Sequence, residues 1–174
     1  MAQVFQESTQ PIERFSLPES PSNLQSAPVI IRTALQEATT ALNTAGVENA
    51  AANAEWLMAE VLGCPRPELP LHWSETLEAT QIQRWQSLVD GRVDRIPLQH
   101  LLGTAEFCGL AFEINSSVLA PRPETELLAE AAWAVAAIKE ESVVLDIGTG
   151  SGCLAVSVAV HAEETTIHAL DIST

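Results

Sequence analysis

The chain has 174 residues, 23 of them Asp or Glu against 8 Lys or Arg, and a formal net charge of −15 at pH 7. That balance argues against direct binding of nucleic acid through its phosphates, which takes clustered cations, and suits a partner that is small or basic. A hydrophobic content of 47% excludes a mostly disordered chain, and at this length roughly two thirds of the unfolded surface can be buried, enough for one domain or a small domain plus part of another. The three cysteines, Cys64, Cys108 and Cys153, form neither a CxxC pair nor a zinc spacing. So sparse and odd a set predicts free thiols in a reducing cytoplasm and no metal site. No apolar run approaches the roughly 18 residues of a membrane span, and no basic region followed by an apolar core marks a secretory signal.

Residues 1–28 are rich in Gln, Ser, Pro and Glu, and Pro11, Pro18, Pro21 and Pro28 interrupt any helix; the composition predicts a flexible tail. Ile30, Ala34, Leu35, Ala38, Leu42 and Ala45 then recur at helical spacing, with Gly46 as a stop. A second helix is expected from about Glu48 to Leu62, its apolar side including Trp56 and Leu57, ending at Gly63. Pro65, Pro67 and Pro70 predict a connecting loop. A third helix is expected over about 79–95, with Ile82, Trp85, Leu88, Val89 and Arg92 stepping by three or four and Pro97 ending it. Packed antiparallel, these helices make a small bundle over 29–97 whose Trp and Leu residues are most simply core.

The character changes near residue 100. "AEFCGLAFEI" reads as a β-hairpin around Gly109, within a hairpin-and-linker segment over 98–123. Pro123 suits the first position of a helix, with Glu124 and Glu126 in its first turn, running to about Lys139. "SVVLDI" is an apolar strand of the kind buried on both faces of a parallel sheet. "GCLAVSVAVHA" is a helix and "TTIHALDI" a second strand. The fold class is therefore α/β, with an N-terminal helical bundle, a hairpin linker, and over 124–174 the αβαβ opening of a doubly wound sheet.

Between the first strand and its helix stand Gly148, Thr149, Gly150, Ser151 and Gly152. The dinucleotide pattern G-x-G-x-x-G would place its third glycine at 153, which is Cys153. Asp146, two residues before the loop, is an unfavourable neighbour for a pyrophosphate. It suits a ligand carrying positive charge, such as S-adenosyl-L-methionine, whose sulfonium and ammonium come with no phosphate. Asp171, 19 residues after Gly152, sits where an acid accepts hydrogen bonds from ribose hydroxyls. The two acids thus divide the ligand, Asp146 toward the methionine end and Asp171 toward the ribose.

"DIGTGSG" resembles the first motif of class I methyltransferases. The longer stretches "IPLQHLLGTAEFCGLAFEINSSVLAPRPETELLAE" and "VVLDIGTGSGCLAVSVAV" are similar to the HemK/PrmC family, the protein-(glutamine-N5) methyltransferases that modify peptide chain release factors. The resemblance covers roughly residues 29–174. It implies a helical domain over 29–97 that helps recognise the release factor, a hairpin linker, and the start of a Rossmann-like domain that binds S-adenosyl-L-methionine. The substrate it implies is the glutamine of a Gly-Gly-Gln loop. It also implies Phe107 as an aromatic beside the cofactor, and Arg122, Thr125 and Glu126 of "PRPETE" as residues of the active-site cleft. At Cys108 the sequence departs from the aromatic often found in the family.

The family's catalytic Asn-Pro-Pro-Tyr, which holds the substrate amide, is absent, and no Asn-Pro pair occurs in these residues. The expectation is a C-terminally truncated enzyme in which this chain alone is inactive, with no catalytic residue to assign. Two other readings remain: a methyltransferase of a ribosomal-protein glutamine, or a non-catalytic fragment that binds the release factor. A nicotinamide-binding fold is disfavoured by the G-x-G-x-G spacing and by Asp146.

Overall fold

The structure, a computed structural model, describes residues 28–138 and 141–173. The predicted tail lies outside the described residues except for Pro28, as does Lys139, the expected end of the helix that begins at Pro123. Among the described residues the chain is mixed helix and strand, with seven helices and two two-stranded sheets. It divides after Ile96 into two compact units.

The first unit is helical. α1 (Ile31–Thr44) buries Ile31, Ala34, Leu35, Ala38 and Leu42, the predicted stripe with its start moved by one residue. Ile30 is exposed and makes an isolated bridge with Thr76, and Ala45 is the C-cap, so neither belongs to the helix face. The helix closes in a Schellman arrangement: the Gly46 amide donates to Asn43 O and the Val47 amide to Leu42 O, both at 2.9 Å. Gly46 has φ +68°, and a Cβ there would stand 3.1 Å from Nη2 of Arg95. α2 (Ala50–Leu62) begins two residues later than expected because Asn49 is left-handed, at φ 52°.

The expected proline loop is corrected to a 3-10 turn, Arg66–Glu68, and a short helix α3 (Leu69–His72), with Pro67 and Pro70 in first-turn positions that need no amide donor. α4 (Ala79–Val93) starts with a capping box between Glu78 and Gln81. It stops before Pro97, because Arg95 takes φ 69° and the Ile96 amide turns back to Gly91 O at 3.0 Å. Trp85, Leu57, Met58 and Val89 fill the centre of this unit. Trp56, expected on the apolar side of α2, is 44% exposed, and Trp73 is 39% exposed; the reading of both as core is corrected. Asn53 ties the helices together. It donates to Glu48 O and Asn49 O and accepts from Nε of Arg92 at 2.8 Å.

In the second unit, Pro97 caps a new helix, α5 (Leu98–Leu102), inside the segment expected to be only hairpin and linker. β1 (Thr104–Phe107) and β2 (Leu110–Glu113) pair antiparallel around Cys108 and Gly109, whose φ values of 49° and 74° are those of a type I′ hairpin turn. The alternation puts Ala105, Phe107 and Phe112 inward, against Ile114, Ala129 and Cys153. α6 (Pro123–Ala136) carries Pro123 and the two acids of its first turn as expected, and ends at Ala136. β3 (Val143–Ile147) and β4 (Thr166–Leu170) are parallel, in register from Val143 opposite Thr166 to Ile147 opposite Leu170. α7 (Cys153–His161) connects them.

Burial of β3 on both faces is corrected. Val144 and Ile167 pack under Trp133 and Ala136 of α6 and Val158 of α7. Because side chains alternate along a strand, Val143, Leu145 and Ile147 point the other way and are 67%, 55% and 78% exposed. Trp133 and His161 stack at 4.1 Å between ring centroids and lock α6 to α7.

Candidate functional site

The glycine loop leaves the end of β3 and enters α7. Gly148, Gly150 and Gly152 all have positive φ, at 79°, 54° and 76°, which is why the turn is made of glycines. Four of its amides are consumed inside the protein. Gly148 and Thr149 both donate to Leu170 O, at 2.7 and 3.0 Å, and Gly152 donates to Thr149 O at 2.9 Å. The Gly150 amide donates to Oδ2 of Asp171 at 2.8 Å.

Both candidate acids are therefore at the loop. Asp146 accepts the Thr149 hydroxyl on Oδ2 at 2.8 Å. Asp171, directly after β4, accepts the Ser173 amide and hydroxyl on Oδ1 at 2.9 and 2.6 Å, besides Gly150 on Oδ2. The bonds from Ser173, reinforced by that from Gly150, lower its carboxyl to about 2. Ser173 was not expected from the sequence. A serine two residues after an aspartate is a common turn partner and is the signal that could have shown it.

The donor set tests which group the loop can hold. A phosphate cradle presents free amides, whereas here four loop amides already have acceptors and one of those acceptors is a carboxylate. A loop flanked by two carboxylates fits a cationic ligand. Around Gly148 and Gly150 a Cβ would meet nothing within 4 Å, so the backbone there is open to a ligand. With three hydrogen bonds already on Asp171, Oδ2 keeps a lone pair for one ribose hydroxyl. A second hydroxyl on Oδ1 would replace Ser173.

The other candidates lie elsewhere in the same unit. Phe107 is fully buried, edge-on to Phe112 at 6.3 Å, in the apolar cluster that contains Cys153 at the start of α7. Glu126 accepts the Cys108 amide on Oε1 at 2.8 Å and so holds the hairpin turn to α6. Arg122 is the exposed N-cap of α6, and its carbonyl accepts the Thr125 amide at 2.9 Å. Among the described residues no hydrogen bond joins Arg122 or Thr125 to the glycine loop. His100 bonds Val118 O locally. The thiols of Cys64 and Cys108 are pushed up by burial, which suits inert side chains. Among the described residues no cluster of His, Cys, Asp or Glu could hold a metal ion, and no helix is long and apolar enough to cross a membrane.

The chain thus has a helical unit followed by a unit of α/β class, in which a glycine loop leads from one acid-tipped strand into a helix and is tied to the acid after the parallel neighbour strand. In comparison with known proteins, the model of the PrmC N-terminal domain matches residues 33–103. A release factor glutamine methyltransferase of Geobacter sulfurreducens is 45% identical over 114 residues, 66% of this chain and 39% of the relative. One from Mycolicibacterium smegmatis is 41% identical over 144 residues, 82% and 50% respectively, and one from Burkholderia pseudomallei 41% over 123 residues, 71% and 43%. Residues 33–103 thus match the PrmC N-terminal domain family, and the chain, similar to release factor glutamine methyltransferases over most of its own length, spans half or less of the length of these curated relatives.

Proposed function

We propose that this chain is the recognition and cofactor-binding part of an S-adenosyl-L-methionine-dependent methyltransferase that modifies the Gly-Gly-Gln glutamine of peptide chain release factors in the cytoplasm. The observation that carries the reading is the loop with four of its amides satisfied internally and Asp146 and Asp171 beside it. It disfavours a pyrophosphate and favours a sulfonium. The relatives named release factor glutamine methyltransferase supply the substrate class. The boundaries that go with this reading are a recognition domain over 29–97, a linker over 98–123, and from 124 the first part of a Rossmann-like domain.

The bound cofactor would supply the methyl group. Asp146, fixed by Thr149, attracts its positive end. Asp171, held ionised by its three donors, accepts from the ribose, while Gly148, Gly150, Ser151 and Gly152 let the ligand approach the backbone. Arg122, Thr125 and Glu126 would border the cleft, and Phe107 would support the loop from below through Cys153. An amide nitrogen is a poor nucleophile and must be held and aimed. The family's Asn-Pro-Pro-Tyr does this, and since these residues contain none, the 174-residue chain alone is proposed to transfer no methyl group to a release factor. A radiolabelled-methyl assay giving transfer above background would overturn that.

Calorimetry on the 174-residue chain tests the cofactor. Binding of S-adenosyl-L-methionine with no heat from NAD is expected; binding of NAD, or of neither, would overturn the assignment. A ribosomal-protein glutamine as substrate, or a fragment that only docks on the release factor, would show instead as methylation or capture of those proteins.

A further inference from the structure

The helical unit carries a groove that the cofactor reading does not use. Three adjoining depressions of about 490, 420 and 460 Å³ run along one face of α1, the first two sharing Arg32, Gln36 and Trp73 and the last two sharing Thr39, Ala51 and Glu55. Arg32, Gln36, Thr39 and Asn43 lie three or four residues apart, so they form one stripe of α1. From Arg32 to Asn43 that stripe is about 16 Å long, the span of roughly five extended residues.

Its chemistry is that of a protein-recognition surface. Half-exposed Trp73, which lines the groove, lies beneath Arg32 at 5.7 Å, while Arg66 at the far end covers Trp56, which is not among the lining residues, at 5.5 Å. Tryptophan and arginine are the residues that dominate binding energy at protein interfaces. The two arginines differ. Arg66 is neutralised by Glu55, with contacts of 2.6 and 2.8 Å. Arg32 has no acid partner among the described residues. The Thr39 hydroxyl is turned back onto Leu35 O, so it makes no demand on a ligand. The groove therefore offers one uncommitted cation beside an aromatic face and the apolar flank of Leu35 and Ala51.

We propose that this groove binds an extended segment of a partner protein that carries a single internal Asp or Glu flanked by apolar side chains. The carboxylate pairs with Arg32 and a neighbouring apolar side chain covers Trp73. The acid is internal because the groove continues on both sides of Arg32, past Ile30 and Pro70 in one direction and past Thr39 and Asn49 in the other. It is single because the chain as a whole carries −15 and repels a polyacidic segment.

Fluorescence anisotropy with the 174-residue chain tests this, using the labelled peptide acetyl-Ala-Leu-Glu-Leu-Ala-amide and its Gln counterpart. The Glu peptide is expected to bind about ten-fold or more tightly than the Gln peptide, the usual gain of a charge-assisted hydrogen bond. Arg32→Gln should erase that difference, and Trp73→Ala should weaken both peptides alike, with far-UV circular dichroism unchanged in each variant. Asp171→Ala should leave peptide binding intact, which separates this site from the cofactor reading. Replacing both Leu residues of the peptide by Glu should weaken binding. Equal affinity for the Glu and Gln peptides, a Glu preference that survives Arg32→Gln, or no binding of either peptide would overturn the proposal.

Discussion

Oδ2 of Asp171 accepts the amide of Gly150 at 2.8 Å, across 21 residues of sequence, and so ties the end of β4 to the glycine loop. The same carboxylate holds Ser173, and the three donors lower it to about 2. A carboxyl depressed on folding keeps its bonds at any pH above its ordinary value and loses them only as pH falls through the depressed one. The Gly150 amide resonance is therefore expected to stay in place from pH 6 to about 3 in the folded chain, while ordinary carboxyls titrate near 4. A Gly150 shift with a midpoint near 4 would show that this tie does not form.

On the proposed function Asp171 also accepts from the ribose, so Asp171→Ala should weaken S-adenosyl-L-methionine by about ten-fold or more, and calorimetry reads this directly. An undiminished affinity would leave the residue a loop fastener only.

Gly150 has φ +54° with open space where a Cβ would stand. Gly150→Ala should cost about 1–2 kcal/mol of local strain without a clash. Gly150→Val, bulkier and β-branched, should abolish cofactor binding and leave the helical unit folded. Full affinity in the Val variant would make the loop a structural turn and nothing more.

Glu126 was expected at the cleft from the family resemblance, and the structure gives it a task within the fold, accepting the amide of Cys108. Glu126→Gln keeps an acceptor oxygen at that place, and Glu126→Ala removes it. In urea titrations the Ala variant should lose roughly 1–3 kcal/mol and the Gln variant much less. Equal losses would mean that charge, rather than the hydrogen bond to the turn, is what the position needs.

What could be read from the sequence was what local periodicity controls. Ala34, Leu35, Ala38 and Leu42 fall at helical spacing and are all buried, Gly46 and Gly63 end their helices, and the hairpin turns at Cys108 and Gly109. The misses have physical causes. Asn49 and Arg95 take left-handed conformations that glycine normally supplies, so both helix boundaries were misplaced. Pro67 and Pro70 looked like loop residues, although the first turn of a helix needs no amide from them. In sequence Trp56 and Trp73 read as core because an aromatic side chain looks the same whether it faces a neighbour or is covered by a long arginine. At the site, both acids and the loop were visible as spacing. The bond between Glu126 and Cys108 joins residues whose separation has no period to betray it.

Arg95 carries the last prediction. It occupies the position after the α4 C-cap, where its amide bonds Arg92 O at 3.1 Å and the following amide reaches Gly91 O, the two bonds of a Schellman ending. Glycine is the favoured residue there, since a side chain at φ 69° costs about 1–2 kcal/mol. The charge of Arg95 is also unfavourable, because it adds to burial in lowering its neighbour Arg92, whose guanidinium must stay ionised to hold Asn53 and Ile96 O. Against this, Nη2 of Arg95 lies close to Gly46, and that contact would be lost. Relief of strain and like charge should win, and Arg95→Gly is expected to stabilise the helical unit by about 0.5–1 kcal/mol. Asn53→Ala, which strips the Nε of Arg92 of its acceptor, should destabilise it by roughly 1–3 kcal/mol. Residues 28–96, which have their own core around Trp85, provide the sample for thermal melts of both variants. A lower melting temperature for Arg95→Gly would mean that the contact with Gly46 outweighs the strain, and a non-cooperative melt of the parent fragment would show that this unit does not fold alone.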